Sequence, residues 1–162
     1  MYGDTTVHAT SEATIWVALA ALPGYWFGIW LVRRNLDLWK LQIVGFAAIA
    51  ITFLLIMSLW EYLEFYSFLA LYGATFFIIN STANLTTFII PVNEGTFPES
   101  VKSTCHGFSA ACGKLGAIIG VALMEPLLDW AGIRTVLAAC AVISFFGMFT
   151  TLFGYKSLSR TG

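Results

Sequence analysis

Five long apolar stretches separated by short polar segments dominate the sequence, and this pattern leaves few folds open to the chain. A helix needs about 20 apolar residues to cross the ~30 Å hydrocarbon core of a bilayer. Inside a membrane, only helices and closed barrels satisfy all the backbone polar groups. We therefore predict a single all-α integral membrane domain with about five transmembrane helices, at residues 13–32, 41–60, 66–90, 105–128 and 135–155. An interruption is expected in the first helix, at Pro23 and Gly24.

The composition supports this class and argues against several others. Apolar residues make up 59% of the chain and charged residues only 10%, whereas a soluble domain carries about 25% charged residues. A net charge of -1 provides no electrostatic footprint for nucleic acid. The three cysteines lack the spacing of a disulfide framework or a zinc site. No nucleophile–base pair or phosphate-binding glycine loop is visible, so we expect no enzyme, no metal and no cofactor.

The charges outside the apolar stretches predict an orientation. One side of the predicted bundle collects six of the eight lysines and arginines, whereas the other side carries mostly acidic residues. The six are Arg33, Arg34, Lys40, Lys102, Lys156 and Arg160. By the positive-inside rule, this basic side is cytoplasmic. The C-terminus is then expected inside and the N-terminus on the opposite side, an arrangement that suggests the rear part of a longer protein.

Lys114 is the residue that fits least well into a lipid-spanning helix. It lies about nine residues into its apolar stretch, which is roughly 14 Å deep at the standard helical rise. A lysine at the bilayer centre costs at least about 2.5 kcal/mol on insertion scales. Two interpretations remain open: an ion pair within the bundle, or a charge that binds an anionic substrate. Ser109, Gly113, Gly116 and Gly120 form a stripe of small residues nearby, which permits close helix packing and also leaves room for a ligand.

A second polar line lies on the third predicted helix. Asn80, Asn84 and Thr87 are spaced at i, i+4 and i+7, so they share one helical face. Hydrogen bonding between helices explains such a line as well as substrate binding does. Tyr25, beside Pro23 and deep in the first helix, is a further residue expected to line a cavity.

Several motifs together resemble the phosphate:proton symporters of the major facilitator superfamily. They include Pro23-Gly-Tyr-Trp-Phe27, Leu41-Gln-x-x-Gly-Phe46 and Asn84-x-Thr-Thr-Phe-Ile-Ile-Pro91. The longest is His106-Gly-Phe-Ser-Ala-Ala-x-Gly-Lys-Leu-Gly-Ala-Ile118, preceded by Phe97-Pro98 and Lys102-Ser-Thr104. The resemblance runs from about residue 15 to 155. It implies a partial C-terminal half of a major facilitator fold, at about helices eight to twelve of twelve.

The resemblance also implies a function and a site. Members of this family hold phosphate at the midplane with a lysine and an asparagine that match Lys114 and Asn84. We therefore expect Lys114 and Asn84 to bind substrate, with Asn80, Thr87 and Tyr25 as possible lining residues. The aspartate that pairs with this lysine and takes part in proton coupling would lie in a preceding helix. Phosphate, protons and the lipid bilayer are the implied partners, and the plasma membrane is the implied location.

Two alternatives remain open at this stage. The chain could belong to a major facilitator carrier of another solute, such as an organic anion or a sugar. It could also be a truncated or non-transporting membrane protein, because five helices do not supply two halves that rock around a site. Either missing N-terminal helices or an oligomeric partner would then have to complete the site.

Overall fold

The structure of the chain is a bundle of α-helices. A computed structural model describes residues 2–93 and 96–158, with side-chain surroundings for 11–93 and 96–156. Two short 3-10 turns, Trp60–Tyr62 and Ile90–Val92, follow the second and fourth helices. The helices are α1 (Tyr2–Arg33), α2 (Leu38–Leu59), α3 (Phe65–Ser81), α4 (Ala83–Ile89) and α5 (Glu99–Leu158). The predicted all-α membrane class is confirmed.

Four helical segments of the described chain are long and apolar enough to cross a membrane. They are Ser11–Arg33, Leu38–Tyr62, Phe65–Val92 and Glu99–Lys156. The last has 58 residues, which would reach about 87 Å if it were straight, nearly three bilayer cores. It is not straight, because Gly132 adopts φ 76° and ψ 170° and breaks it. We call residues 99–131 the first limb of α5 and residues 133–158 the second limb. The break lies within the predicted connection 129–134.

The second limb runs antiparallel to α2. The guanidinium of Arg134, at its start, pairs with Glu61 beyond the end of α2 at 2.9 Å. Near the other end, the Nε2 of Gln42 donates to the Oγ1 of Thr151 at 3.1 Å. Gly147 lies close to the ring of Phe46 along the same interface. The contacts therefore span the whole length of α2.

The first helix differs from the prediction at Pro23. We expected Pro23 and Gly24 to interrupt it, but α1 continues through both residues to Arg33. The close approach of the α3 backbone explains why glycines follow Pro23 in α1. A Cβ on Gly24 would lie 2.6 Å from the carbonyl oxygen of Phe77. A Cβ on Gly28 would lie equally close, at 2.6 Å, to the carbonyl oxygen of Ser81. Glycines four residues apart thus allow α1 and α3 to pack with their backbones almost in contact.

The third predicted span is interrupted at Thr82. This residue has φ −126° and ψ −95°, so α3 ends at Ser81 and α4 begins at Ala83. The hydroxyl of Thr82 donates to the carbonyl oxygen of Ile78 at 2.6 Å, and Gly45 of α2 leaves space for its side chain. The break places Asn84 in the first turn of the short helix α4.

Connections and contacts place five of the six predicted basic residues at one end of the bundle, namely Arg33, Arg34, Lys40, Lys102 and Lys156; Arg160 lies outside the described residues. Asn35 ends α1 in the left-handed region at φ 55°, and Asp37 caps α2 by accepting from the backbone N–H of Trp39 at 2.9 Å. Gly154 packs on the ring of Trp39, which brings the end of the second limb to the same place. The ion pair between Arg134 and Glu61 lies at the opposite end of α2.

Candidate functional site

Three of the predicted site residues form one hydrogen-bonded chain between α1, α3 and α4. The Nδ2 of Asn84 donates to the Oδ1 of Asn80 at 2.8 Å and to the hydroxyl oxygen of Tyr25 at 2.6 Å. The Nδ2 of Asn80 donates in turn to the carbonyl oxygen of Phe76 at 2.9 Å. Asn80 is only 7% exposed, whereas Tyr25 is 38% exposed. The hydrogen bonds therefore lead from the buried face of α3, at Asn80, to the accessible hydroxyl of Tyr25.

The buried end of this hydrogen-bonded series decides which of its groups donate and which accept. The carbonyl oxygen of Phe76 only accepts, so the amide of Asn80 must present its NH₂ there and its oxygen to Asn84. Asn84 must then present its own NH₂, and both of its hydrogens are engaged by Asn80 and Tyr25. Because the oxygen of Tyr25 accepts, its hydroxyl hydrogen points away from Asn84. The group that this cluster offers to a bound anion is therefore the O–H of Tyr25.

Asn84 also borders a cavity of about 410 Å³ between α2, α4 and both limbs of α5. Apolar side chains form most of its wall. Its polar lining consists of Asn84, Thr87, Ser109 and Ser144. Gly113 and Cys140 border the same space from the two limbs. Thr87 donates within its own helix, to the carbonyl oxygen of Ala83 at 2.6 Å. Tyr25 and Asn80 border a second cavity, of about 590 Å³, between α1 and α3.

Lys114 occupies a different position from the other four predicted residues. It is exposed, and it lines neither of these two cavities, although the preceding Gly113 lines the first. Successive residues of a helix point about 100° apart, so Lys114 faces away from the side of the limb that carries Ser109 and Gly113. Among the described side chains, no carboxylate oxygen lies within 4.0 Å of its ammonium. The internal ion pair considered from the sequence is thus not formed by the described residues.

The surroundings of Lys114 are strongly apolar. Leu115, Ile118 and Ile119 follow it on the first limb, each more than half exposed. A Cβ placed on Gly113, Gly116 or Gly120 would meet no other described atom within 4 Å, apart from the local backbone of the helix. In a bilayer, an ammonium on such a surface needs an anionic partner or access to water. Lys114 therefore offers a positive charge to any anion that reaches this surface.

Sequence reasoning did not identify two residues that join the site helices. The hydroxyl of Ser109 donates to the carbonyl oxygen of Thr87 at 3.1 Å, and Nδ1 of His106 lies 3.1 Å from the carbonyl oxygen of Phe88. Ser109 was assigned to a small-residue stripe alone. A signal for its second role was present, because Pro91 lacks the N–H that a helix would offer to Thr87. No group of three or more metal-ligating side chains occurs within the described residues.

Comparison with known proteins gives a consistent set of relatives. The chain is 37% identical over 162 residues to low affinity inorganic phosphate transporter 4 of Medicago truncatula, and 40% identical over 162 residues to the transporter of that name in Lotus japonicus. Each match covers 96% of this chain and 30% of the relative. Inorganic phosphate transporter 1-11 of Oryza sativa subsp. japonica is 33% identical over 163 residues, covering 97% of this chain and 29% of the relative.

The chain thus spans about 30% of the length of the relatives that it matches. No family model and no solved structure matches it. These relatives are all named as inorganic phosphate transporters. The motifs that carry the resemblance lie in the segments that position Tyr25, Asn84 and Lys114. On this evidence the chain is similar, over nearly its whole length, to a part of the inorganic phosphate transporters, the family that its motifs resemble.

Proposed function

We propose that this chain contributes to a carrier that moves inorganic phosphate across a membrane together with protons. The observation that carries the proposal is Lys114, an ammonium on an apolar membrane helix without a carboxylate within 4.0 Å among the described side chains. Relatives that are 33–40% identical over nearly the whole chain are named as phosphate transporters, which supports phosphate as the anion.

In the proposed site, Lys114 supplies the charge, and the hydrogen-bonded residues Asn80, Asn84 and Tyr25 supply a hydroxyl donor. Lys114 lines neither of the cavities that these residues border, so the first limb of α5 would have to turn for one phosphate to meet both. A phosphate that enters an apolar environment loses its hydration, and it must regain hydrogen bonds and positive charge from the protein. The O–H of Tyr25 is oriented for donation because Asn84 occupies its oxygen. For Asn84 itself to donate to phosphate, its hydrogen bond to either Tyr25 or Asn80 would have to break.

Alternating access in such carriers arises from two halves that rock about a site between them. Helices beyond those of this chain, or an oligomeric partner, would therefore complete the site. We further propose that the basic end of the bundle faces the cytoplasm, as the positive-inside rule indicates, and that the carrier resides in the plasma membrane. Proton coupling would use an acidic residue that pairs with Lys114 when phosphate is absent.

Uptake measurements test the role of Lys114. This chain replaces the matching segment of the Medicago truncatula relative, and uptake of labelled phosphate is followed in cells that lack their own phosphate carrier. A hydrogen bond to a charged group contributes about 1.5–3 kcal/mol, so Lys114→Ala should lower kcat/KM by roughly 10- to 150-fold. Lys156→Ala, at the end of the second limb, is the matched control and should leave uptake unchanged. Undiminished uptake by the Lys114→Ala variant would rule out the assigned role.

Two further measurements with the same chimera separate substrate and coupling. Excess unlabelled phosphate should suppress uptake of the label, whereas organic anions and sugars should not. Suppression by one of those solutes would instead favour a carrier with a different substrate. Collapse of the proton gradient by a protonophore should abolish accumulation if protons are co-transported. Accumulation that persists without the gradient would contradict the coupling.

A further inference from the structure

Pro91 leaves one backbone carbonyl of α4 without its usual helical donor. In an α-helix, the carbonyl of residue i accepts from the N–H of residue i+4, so that of Thr87 would accept from residue 91. Proline has no N–H. An unpaired carbonyl within a membrane costs several kcal/mol, so another donor must reach it. The hydroxyl of Ser109, on the first limb of α5, does so at 3.1 Å.

A second contact from the same limb reaches the next carbonyl along α4. The Nδ1 of His106 lies 3.1 Å from the oxygen of Phe88, and the two rings lie 5.8 Å apart, centre to centre. Since a carbonyl oxygen only accepts, Nδ1 carries the hydrogen in this bond. His106 and Ser109 are three residues apart and therefore share a helical face. Together they bind two consecutive carbonyls at the end of α4.

The same two helices carry the proposed binding residues. Asn84 lies three residues before Thr87 on α4, and Lys114 lies five residues after Ser109 on the first limb. Beyond these contacts the limb is sparsely packed, because Gly113, Gly116 and Gly120 meet nothing within 4 Å. The bond between Ser109 and Thr87 is thus one of the few specific contacts that determine where the limb lies against α4.

We infer that Ser109 is a positioning residue for phosphate binding. By occupying the carbonyl that Pro91 frees, its hydroxyl sets the position of Lys114 relative to Asn84. The part of this inference that concerns phosphate rests on the proposed function. The part that concerns the position of the limb does not.

Distance measurements on the chain itself test the position of the limb. Spin labels are placed at two exposed sites, Ile51→Cys on α2 and Leu115→Cys on the first limb, and the chain is studied in lipid nanodiscs. The three native cysteines are replaced by alanine throughout. Ser109→Ala should shift or widen the distribution of label distances, whereas Ser109→Thr keeps the hydroxyl and should preserve it. Ser103→Ala, an exposed serine on the same limb, is the matched control.

Pro91→Ala distinguishes positioning through the carbonyl from simple filling of space. This substitution restores a backbone N–H for the carbonyl of Thr87, so Ser109 loses its special partner. The effect of Ser109→Ala on the distance should therefore be large with Pro91 present and small in the Pro91→Ala background. Equal effects in both backgrounds, or an unchanged distance in the Ser109→Ala variant, would overturn the inference.

Phosphate uptake by the chimera gives the functional readout. A hydrogen bond contributes about 1 kcal/mol, so Ser109→Ala should raise the KM for phosphate about fivefold and leave kcat nearly unchanged. Ser109→Thr should restore the KM. If the label distances respond as expected but Lys114→Ala leaves phosphate uptake unchanged, the proposed function fails and the positioning of the limb stands. A fall in kcat with an unchanged KM would contradict the positioning of Lys114.

Discussion

The two limbs of α5 contain glycines at intervals that permit close packing, but their surroundings differ. In the second limb, a Cβ on Gly147 would lie 2.7 Å from the ring of Phe46, and Gly154 packs on Trp39. In the first limb, Gly113, Gly116 and Gly120 border open space. One limb is therefore packed against α2 along its length, whereas the other touches α4 near its start and exposes the rest.

This difference separates two uses of small residues in a membrane helix. A small side chain allows another helix to approach, but the chain elsewhere decides whether a helix is there. The packed limb contributes to the stability of this bundle. The open limb carries Lys114, the charge on which the proposed function depends. Substitutions in the packed limb should therefore affect folding, and those in the open limb should affect binding.

The largest expected effect on stability comes from overfilling the packed limb. Gly147→Leu would force a side chain against Phe46, and overpacking of this kind costs about 1–3 kcal/mol. Gly116→Leu, in the open limb, meets no neighbour and should leave stability nearly unchanged. The free energies of unfolding of the two variants are compared by unfolding the 162-residue chain in mixed micelles with increasing sodium dodecyl sulfate. Equal destabilisation by both variants would contradict the difference between the limbs.

A smaller effect is expected for the polar contact in the same interface. Thr151→Val removes the hydroxyl that accepts from Gln42, and interhelical hydrogen bonds in membranes contribute about 0.6 kcal/mol on average. Thr150→Val is the matched control, because the hydroxyl of Thr150 bonds within its own helix and is exposed. The same unfolding measurement should show a larger loss for Thr151→Val. A larger loss for Thr150→Val would place the stabilising contact elsewhere.

The smallest effect is expected at the exposed end of the packed limb. Glu61→Gln removes the charge that pairs with Arg134 at 2.9 Å, and both side chains are at least half exposed. Exposed ion pairs contribute about 0–1 kcal/mol and weaken in salt. Glu64→Gln, the neighbouring acidic residue that forms no ion pair among the described residues, serves as the control. A salt-independent loss confined to Glu61→Gln would show that the pair is less exposed than its geometry indicates.

Residue types were enough to nominate candidates for the site, but not to predict how those residues connect. Burial energetics singled out Lys114. The periodicity of Asn80, Asn84 and Thr87 predicted one face of one helix, but the break at Thr82 puts Asn80 on α3 and the other two on α4. The hydrogen bond from Asn84 to Tyr25 joins residues 59 positions apart, and a helical periodicity does not relate such distant segments. The role of Pro91 was recognisable as a missing donor, yet the replacement donor, Ser109, lies 22 residues beyond Thr87.

The sequence by itself determined that this chain is an all-α membrane protein, because its long apolar stretches can satisfy their backbone in lipid only as helices. It also showed the resemblance to phosphate transporters, and relatives with that name are 37–40% identical over nearly the whole chain. Only the tertiary structure decided that α1 continues through Pro23, that α3 stops at Thr82 and that the first limb of α5 stays open. These outcomes depend on which backbones come into contact, and helix contacts in a membrane follow from packing between distant segments rather than from local hydrophobicity.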